Sequence, residues 1–292
     1  MVLSRFTLSL VLAGMMLGAC AKPPSQHESL AQTVDTTLTT ASIAPATVPA
    51  GAQDMPPRIF SASSLSGRTL AVASSADIVL QPGEVVLTFD DGPRPGKTDK
   101  ILATLDEFGV KASFLMLGSA AQAQPQLAQQ VARRGHTVGS HTFGHVDLET
   151  LSRQEALDEI AKGERAVAMT LSGGGQTPAP FFRFPYLSQS GFLRTNLMHS
   201  GLVVLDVTID SKDYYRDSPE LVAARTLARL DARGSGIILF HDIHQRTVDM
   251  LPDFLAELRH RGYSVVRLVP KEDGVFGRAI VTADAPALSD AL

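Results

Sequence analysis

The sequence predicts an α/β fold, a distorted and incomplete (β/α)7 barrel of parallel strands with outer helices. After residue 80, short apolar runs of strand length alternate with longer amphipathic runs of helix length. A repeated order of strand, helix and strand is typical of parallel strands joined by crossover helices. Polar residues also recur just after several predicted strands, at the barrel end where catalytic groups are usually placed.

The chain begins with a segment typical of a secretory signal peptide. Arg5 precedes an apolar stretch, FTLSLVLAGMMLGA, that is shorter than the roughly 20 apolar residues of a membrane-spanning helix. It ends in LGAC, which resembles the bacterial lipobox, and Cys20 is the only cysteine. The resemblance implies a signal peptide of residues 1–19 and a lipidated Cys20 at the mature N-terminus. An ordinary signal peptide with an incidental cysteine is the alternative.

These N-terminal features predict where the protein acts. We expect an exported protein, anchored to a bacterial membrane through its lipid on the periplasmic or cell-surface side. Ala21, rather than aspartate, follows the cysteine, which favours the outer membrane if the host is Gram-negative.

Composition divides the rest of the chain into three parts. Residues 20–79 are rich in Ala, Ser, Thr and Pro and predict a flexible tether, because they contain too few large apolar residues to offset the entropy of ordering. Residues 80–270 predict the folded domain, and residues 271–292 a C-terminal extension. A net charge of -4 and the absence of Trp argue against a nucleic-acid partner. We expect a monomer.

Seven apolar runs predict the strands. The first, EVVLTF, leads into the adjacent carboxylates Asp90 and Asp91, whose mutual repulsion requires a compensating partner. The predicted strands are residues 84–89, 112–117, 136–141, 181–184, 202–208, 236–241 and 263–268.

Six amphipathic runs predict the outer helices. Ser152 lies three residues before Glu155, as in a capping box, and Ser218 precedes Pro219 at a first helical position. The predicted helices are residues 98–108, 124–134, 152–171, 190–200, 218–232 and 246–261.

Two histidines and a neighbouring carboxylate predict a divalent metal site. His141 and His145 are spaced i and i+4, so both can face one ion, and one of the two adjacent aspartates can supply a third ligand. Such a site leaves open positions for water and substrate. Zinc is the expected metal, with cobalt or nickel as alternatives.

Five motifs together resemble those of a known enzyme family. TFDDG, HTFGH, RFPY, DSKDY and LFH occur in this order over residues 84–268 and are similar to the motifs of the NodB-homology polysaccharide deacetylases, carbohydrate esterase family 4. The resemblance implies that Asp90 is the general base and that Arg183 orients it. It also implies that Asp91, His141 and His145 hold the metal.

The same resemblance implies roles for four further residues. His241 is the expected general acid, and Asp213 tunes its charge. Tyr186 is expected to offer its backbone N–H to the oxyanion, and Leu239 to line the pocket for the acetyl methyl group. Tyr214 stands where the family usually has Trp, which leaves its packing on His241 and its contact with substrate open.

The resemblance implies a hydrolase that removes N-acetyl groups from an N-acetylglucosamine polysaccharide. Peptidoglycan is the expected substrate, followed by chitin-like polymers or poly-N-acetylglucosamine. The alternatives are a catalytically silent, glycan-binding envelope lipoprotein and an O-acetyl (xylan) esterase of the same family.

Overall fold

The structure, a computed structural model, describes residues 64–271. The predicted signal peptide, Cys20 and most of the predicted tether lie outside these residues, as does the C-terminal extension apart from Lys271. None of the helices within residues 64–271 combines the length and the hydrophobicity that spanning a bilayer requires.

Nine strands and seven α-helices make up the described domain. The strands are β1 (Ser66–Val72), β2 (Glu84–Asp90), β3 (Ser113–Met116), β4 (Thr137–Ser140), β5 (Phe181–Phe182), β6 (Val203–Val204), β7 (Ile209–Asp210), β8 (Gly236–His241) and β9 (Ser264–Pro270). The helices are α1 (Thr98–Glu107), α2 (Gly118–Ala123), α3 (Pro125–Arg133), α4 (Arg153–Ser172), α5 (Gly191–His199), α6 (Pro219–Arg233) and α7 (Gln245–His260).

The predicted barrel is confirmed. The barrel strands follow the order β6, β5, β4, β3, β2, β8, β7, and every recorded strand pair is parallel. The described residues contain no pairing between β6 and β7, so the barrel is nearly closed and opens at this point. Because the strands are parallel, all their carboxyl ends lie at one end of the barrel.

Alternation along the strands divides the core into two layers. Val86 and Leu115 belong to an apolar cluster inside the barrel. Their strand neighbours Leu87 and Phe114 belong to a larger cluster that packs against α1, α3, α6 and α7. A period of two sends successive side chains to opposite faces of a strand, which explains why β2 and β8 are apolar along nearly their whole length.

The structure corrects the boundary between tether and domain. The predicted tether extended to residue 79, but Ser66–Val72 forms β1, which pairs in parallel with β9. Leu65 and Val72 are buried. The strand was missed because most of its residues face solvent and its sequence, SGRTLAV, contains few large apolar side chains.

Two predicted strands also differ in detail, and one short helix was not predicted. Of the run at 202–208, only Val203–Val204 forms a strand, β6, and a separate strand, β7, follows the run at Ile209–Asp210 and pairs with a different neighbour. The last strand, β9, pairs with β1 and, among the barrel strands, only with the start of β2, so it is not a complete strand of the barrel. A short helix, α2, precedes the predicted helix at 124–134. The capping box of Ser152 and Glu155 is present at the start of α4.

Candidate active site

The carboxyl ends of the strands surround a cavity of about 350 Å³. Arg183 and Asp213 are fully buried and lie behind its surface. Every other site residue predicted in the folded domain lines the cavity: Asp90, Asp91, His141, His145, Tyr186, Tyr214, Leu239 and His241.

Asp90, the last residue of β2, is held by a buried arginine from β5's end. Arg183 Nη1 donates to Asp90 Oδ1 at 2.8 Å and to Thr88 Oγ1 at 2.8 Å, and its Nε donates to the Leu205 carbonyl at 3.0 Å. Asp90 and Arg183 are each only 1% exposed. The ion pair therefore compensates a carboxylate that would otherwise be costly to bury. Thr88, two residues before Asp90 on the same strand face, was not predicted as part of this network.

Asp91 and two histidines form a group that fits a divalent metal. Asp91 Oδ1 lies 3.6 Å from His141 Nε2 and 3.4 Å from His145 Nε2, and the three potential ligand atoms lie within 4.8 Å of one another. Asp91 Oδ1 is buried and has no hydrogen-bond partner among the described residues. Two imidazoles and one carboxylate are a donor set typical of catalytic zinc sites.

The tautomer of His141 suits this arrangement. Its Nδ1 lies 2.8 Å from the carbonyl oxygen of Arg183, and because a carbonyl only accepts, Nδ1 carries the proton. The lone pair of Nε2 is thereby directed toward Asp91. Hydrogen bonds of this kind fix the orientation of metal-binding histidines.

His241, at the end of β8, is paired with a buried carboxylate. Its Nδ1 lies 2.7 Å from Asp213 Oδ1, and Asp213 Oδ2 accepts from the His241 backbone N–H at 2.7 Å and from Thr247 Oγ1 at 2.6 Å. Burial opposes the imidazolium, but the hydrogen bond and charge of Asp213, with Asp90 and Asp91, raise the pKa of His241 to about 9. The imidazole is therefore protonated near neutral pH. Thr247 was not predicted, because it lies on α7, outside the motif that contains His241.

Strained backbone is concentrated around the cavity. Tyr186 lies just after β5 with φ 57°, and its largely exposed ring meets the His145 ring edge-on at 4.5 Å between centroids. Left-handed conformations cost a residue other than glycine about 1–3 kcal/mol, so they persist only where the surroundings over-determine them. The described non-glycine residues with positive φ all follow β2, β4, β5 or β7: Asp91, Thr142, His145, Tyr186, Leu187 and Lys212.

Tyr214, which replaces the expected Trp, contacts His241 and adds a polar link. Its ring meets the His241 ring edge-on at 5.6 Å, and its hydroxyl donates to Asp210 Oδ2 at 2.9 Å. Burial and the hydrogen bond with Asp210 raise the pKa of Tyr214 to about 12. Asp210 also lines the cavity. The substitution therefore keeps an aromatic wall and orients a carboxylate beside it.

Asp242, the residue after β8, lies next to Gly92, behind the carboxyl end of β2. Its Oδ2 accepts from Thr98 Oγ1 at 2.7 Å, and a Cβ at position 92 would overlap its carboxylate, so Gly92 is required there. Burial raises the pKa of Asp242 to about 7, with Asp91 and Asp90 adding to the effect and Thr98 opposing it. His244 is different, since it is half-buried and lines the cavity itself.

Comparison with known proteins gives a consistent set of similarities. Residues 79–204 match the family model described as polysaccharide deacetylase. A chitin deacetylase of Colletotrichum lindemuthianum is 34% identical over 217 residues, which cover 70% of this chain and 86% of that protein. The peptidoglycan-N-acetylglucosamine deacetylase of Listeria monocytogenes is 33% identical over 196 residues, 67% of this chain but 39% of the relative.

A solved structure is similar over a comparable part of the chain. A peptidoglycan deacetylase of Bdellovibrio bacteriovorus aligns with a TM-score of 0.62 and 38% identity. The alignment covers 72% of this chain and 57% of that one. This chain therefore spans only part of the length of the Listeria and Bdellovibrio proteins.

Proposed function

The chain belongs to the polysaccharide deacetylase family, and on this premise we propose that it hydrolyses N-acetyl groups on an N-acetylglucosamine polysaccharide. One observation supports this above the others. A metal-type ligand group, an arginine-bound aspartate and an aspartate-bound histidine all face one cavity. Peptidoglycan is the favoured substrate, since two of the similar proteins are named for it and the predicted lipid anchor would place this protein at the envelope.

Asp91, His141 and His145 would hold the metal, for which we propose zinc. When bound, a divalent ion supplies a Lewis acid for the acetyl oxygen and lowers the pKa of an attacking water. His141 is already oriented for this by its bond to the Arg183 carbonyl.

Asp90 is the proposed general base. Its Oδ1 is held by Arg183, which leaves Oδ2 to accept the proton of the attacking water. Oδ2 lies 3.8 Å from His141 Nε2, so the base stands beside the proposed metal ligands. The new bond joins the water oxygen to the acetyl carbon.

His241 is the proposed general acid. Asp213 occupies Nδ1, so Nε2 is the nitrogen left to give a proton to the departing amine as the C–N bond breaks. Acetate and a free glucosamine are the products. The Tyr186 backbone N–H would donate a hydrogen bond to the oxyanion. One such donor stabilises a transition state by roughly 3 kcal/mol. Leu239 and Tyr214 would contact the acetyl group and the sugar.

The test is acetate release from peptidoglycan glycan strands and from chitin oligomers, with the protein loaded with zinc. We expect chelation to abolish release and zinc or cobalt to restore it. Asp90→Asn and His241→Gln should each lose about 100-fold or more, because general acid–base catalysis contributes that much. His199→Gln changes an exposed histidine at the end of α5 and serves as the control.

Three results would contradict the proposal. Full acetate release by Asp91→Asn in the presence of chelator would remove the proposed metal from the reaction. A protein that binds the glycan but releases no acetate at any metal loading would be the silent glycan-binding alternative. Release from acetylated xylan alone would identify the esterase alternative.

A further inference from the structure

The loop that contains both metal-type histidines packs directly on the longest helix. We call residues 141–145 the histidine loop. Gly163, in the middle of α4, is buried against it: a Cβ at this position would overlap the Thr142 carbonyl and come within 2.7 Å of the Phe143 nitrogen. Lys162 Nζ lies 3.8 Å from the centre of the Phe143 ring. The close approach brings the polar groups of α4 to the loop backbone.

Glu159, one helical turn before Gly163, accepts two backbone hydrogen bonds from the histidine loop. Its Oε1 lies 2.6 Å from the Gly144 nitrogen and 3.1 Å from the Phe143 nitrogen. Hydrogen bonds to an ionised carboxylate are roughly twice as strong as those between neutral groups. Glu159 is half-buried, and no ion pair is recorded for it among the described residues.

Further backbone groups of the loop are held by β3, by α2 and from within the loop, and the His141 N–H donates to the Met116 carbonyl at 2.9 Å. The carbonyls of Thr142 and Phe143 accept from the N–H groups of Gly118 and Ser119 at 2.9 and 3.1 Å. The His145 N–H donates to Thr142 Oγ1 at 3.2 Å. Glu159, a side chain outside the loop, thus accepts from two consecutive loop amides, those of Phe143 and Gly144.

The loop requires this support because its conformation is unfavourable by itself. Thr142 has φ 69° and His145 has φ 58°, and Thr is β-branched. Each such conformation is unfavourable in free energy, and contacts with the surrounding structure must offset that cost. His145 Nε2 lies 3.4 Å from Asp91 Oδ1, so a change in the φ of either residue would move this imidazole relative to Asp91.

We propose that Glu159 is a positioning residue that holds the histidine loop in its ligand-binding conformation and thereby sets the affinity for the metal. The inference rests on the proposed metal site of the deacetylase. Glu159 acts through hydrogen bonds to the Phe143 and Gly144 amides. Moving its oxygen out of reach of these amides should therefore cost more metal affinity than neutralising its charge.

Three substitutions separate reach from charge. Glu159→Ala removes both, Glu159→Asp keeps the charge but withdraws the carboxylate by one methylene, and Glu159→Gln keeps an acceptor oxygen at full reach. Asp158→Ala is the matched control, because Asp158 is the exposed neighbour on α4 whose carboxylate accepts from Gln154 instead.

Metal affinity is measured by cobalt titration and by zinc competition with a chromophoric chelator, and the visible spectrum of bound cobalt reports the ligand geometry. We expect Glu159→Ala and Glu159→Asp to weaken affinity about 10–100-fold, the usual cost of losing a group that orients metal ligands, and to alter the cobalt spectrum. Glu159→Gln should lose less, and Asp158→Ala should match the wild type.

Unchanged affinity and spectrum in a folded Glu159→Ala would overturn the inference. So would the reverse order, with Glu159→Asp like the wild type and Glu159→Gln like Glu159→Ala, because charge alone would then account for the effect. If Glu159→Ala does not fold, the Asp and Gln variants decide. Wild-type protein that binds cobalt normally yet releases no acetate would overturn the proposed function and leave this inference standing, whereas wild-type protein that binds no metal would overturn both.

Discussion

The protonation of His241 depends on one buried carboxylate. Asp213 accepts a hydrogen bond from the His241 backbone N–H, and its other oxygen faces His241 Nδ1. Burial disfavours the imidazolium, but Asp213, with Asp90 and Asp91, raises the pKa of His241 to about 9. The pairing stabilises the folded protein to its full extent below the unfolded pKa of about 6.5. This stabilisation is lost as the pH rises through about 9. A general acid must be protonated, so catalysis should fall over the same upper range.

Asp213→Asn should lower the pKa of His241, because burial would then act with much less opposition. We expect the alkaline limb of the kcat profile to move to lower pH, and NMR titration of the metal-free protein to show the same direction for His241. Asp210→Asn, which removes a cavity carboxylate that makes no recorded hydrogen bond with His241, should leave the limb in place. An unmoved limb in Asp213→Asn would exclude His241 as the acid.

The ion pair of Arg183 and Asp90 links stability to catalysis. Arg183→Met leaves a buried carboxylate without its partner and should cost about 3–5 kcal/mol of unfolding free energy. The double variant Arg183→Met with Asp90→Asn buries no charge, so urea unfolding should show stability recovered in part while acetate release stays absent. If the double variant is no more stable than Arg183→Met alone, the cost does not come from the unpaired charge.

At the scale of elements, β1 extends the domain beyond the barrel. The Val265 N–H donates to the Leu65 carbonyl at 2.7 Å, and Arg68 bonds both oxygens of Glu84 at 2.7 and 3.0 Å. The edge of β9 is therefore covered by a strand from a segment that composition alone suggests is a tether. Leu65, just before β1, and Val72, at its end, are the buried apolar side chains of this segment.

A chain that begins at residue 80 should be less stable than one that begins at residue 60. Burying Leu65 and Val72 contributes about 1.5–3 kcal/mol each, so thermal and urea unfolding should show a loss of up to about 3–6 kcal/mol. Acetate release at low temperature should change little. β9, which β1 covers, pairs with the start of β2, whereas the site lies at the carboxyl ends of β2 and β8. Equal unfolding midpoints for the two chains would contradict a structural role for β1.

At the scale of the whole molecule, we propose that Cys20 attaches the domain to a membrane. The proposal rests on the lipobox-like LGAC and on an apolar segment too short to span a bilayer. Cys20→Ser should move the protein from the membrane fraction to a soluble or uncleaved form, and mass spectrometry of the mature N-terminal peptide should find diacylglycerol on Cys20. An unmodified Cys20 in membrane-associated protein would contradict the anchor.

Several features followed from local sequence because local chemistry decides them. The apolar runs of β2 and β8, the Ser152 cap of α4 and the strand-end motifs each depend on residues close in the chain. The motif resemblance also led to the ligand group of Asp91, His141 and His145. Elements with weak local signals were missed: β1 contains few large apolar side chains, and α2 has only six residues and no large apolar side chain.

Local patterns in the chain are sufficient to predict the barrel class, the positions of the main strands and the residue types at their ends. The distant groups that support these residues are visible only once the chain is folded: Thr247 on Asp213, Thr98 on Asp242, and Glu159 on the histidine loop. Strand and helix periodicity is a property of neighbouring residues, whereas a hydrogen bond across the fold depends on packing that brings together residues far apart in the chain, as Thr98 and Asp242 are.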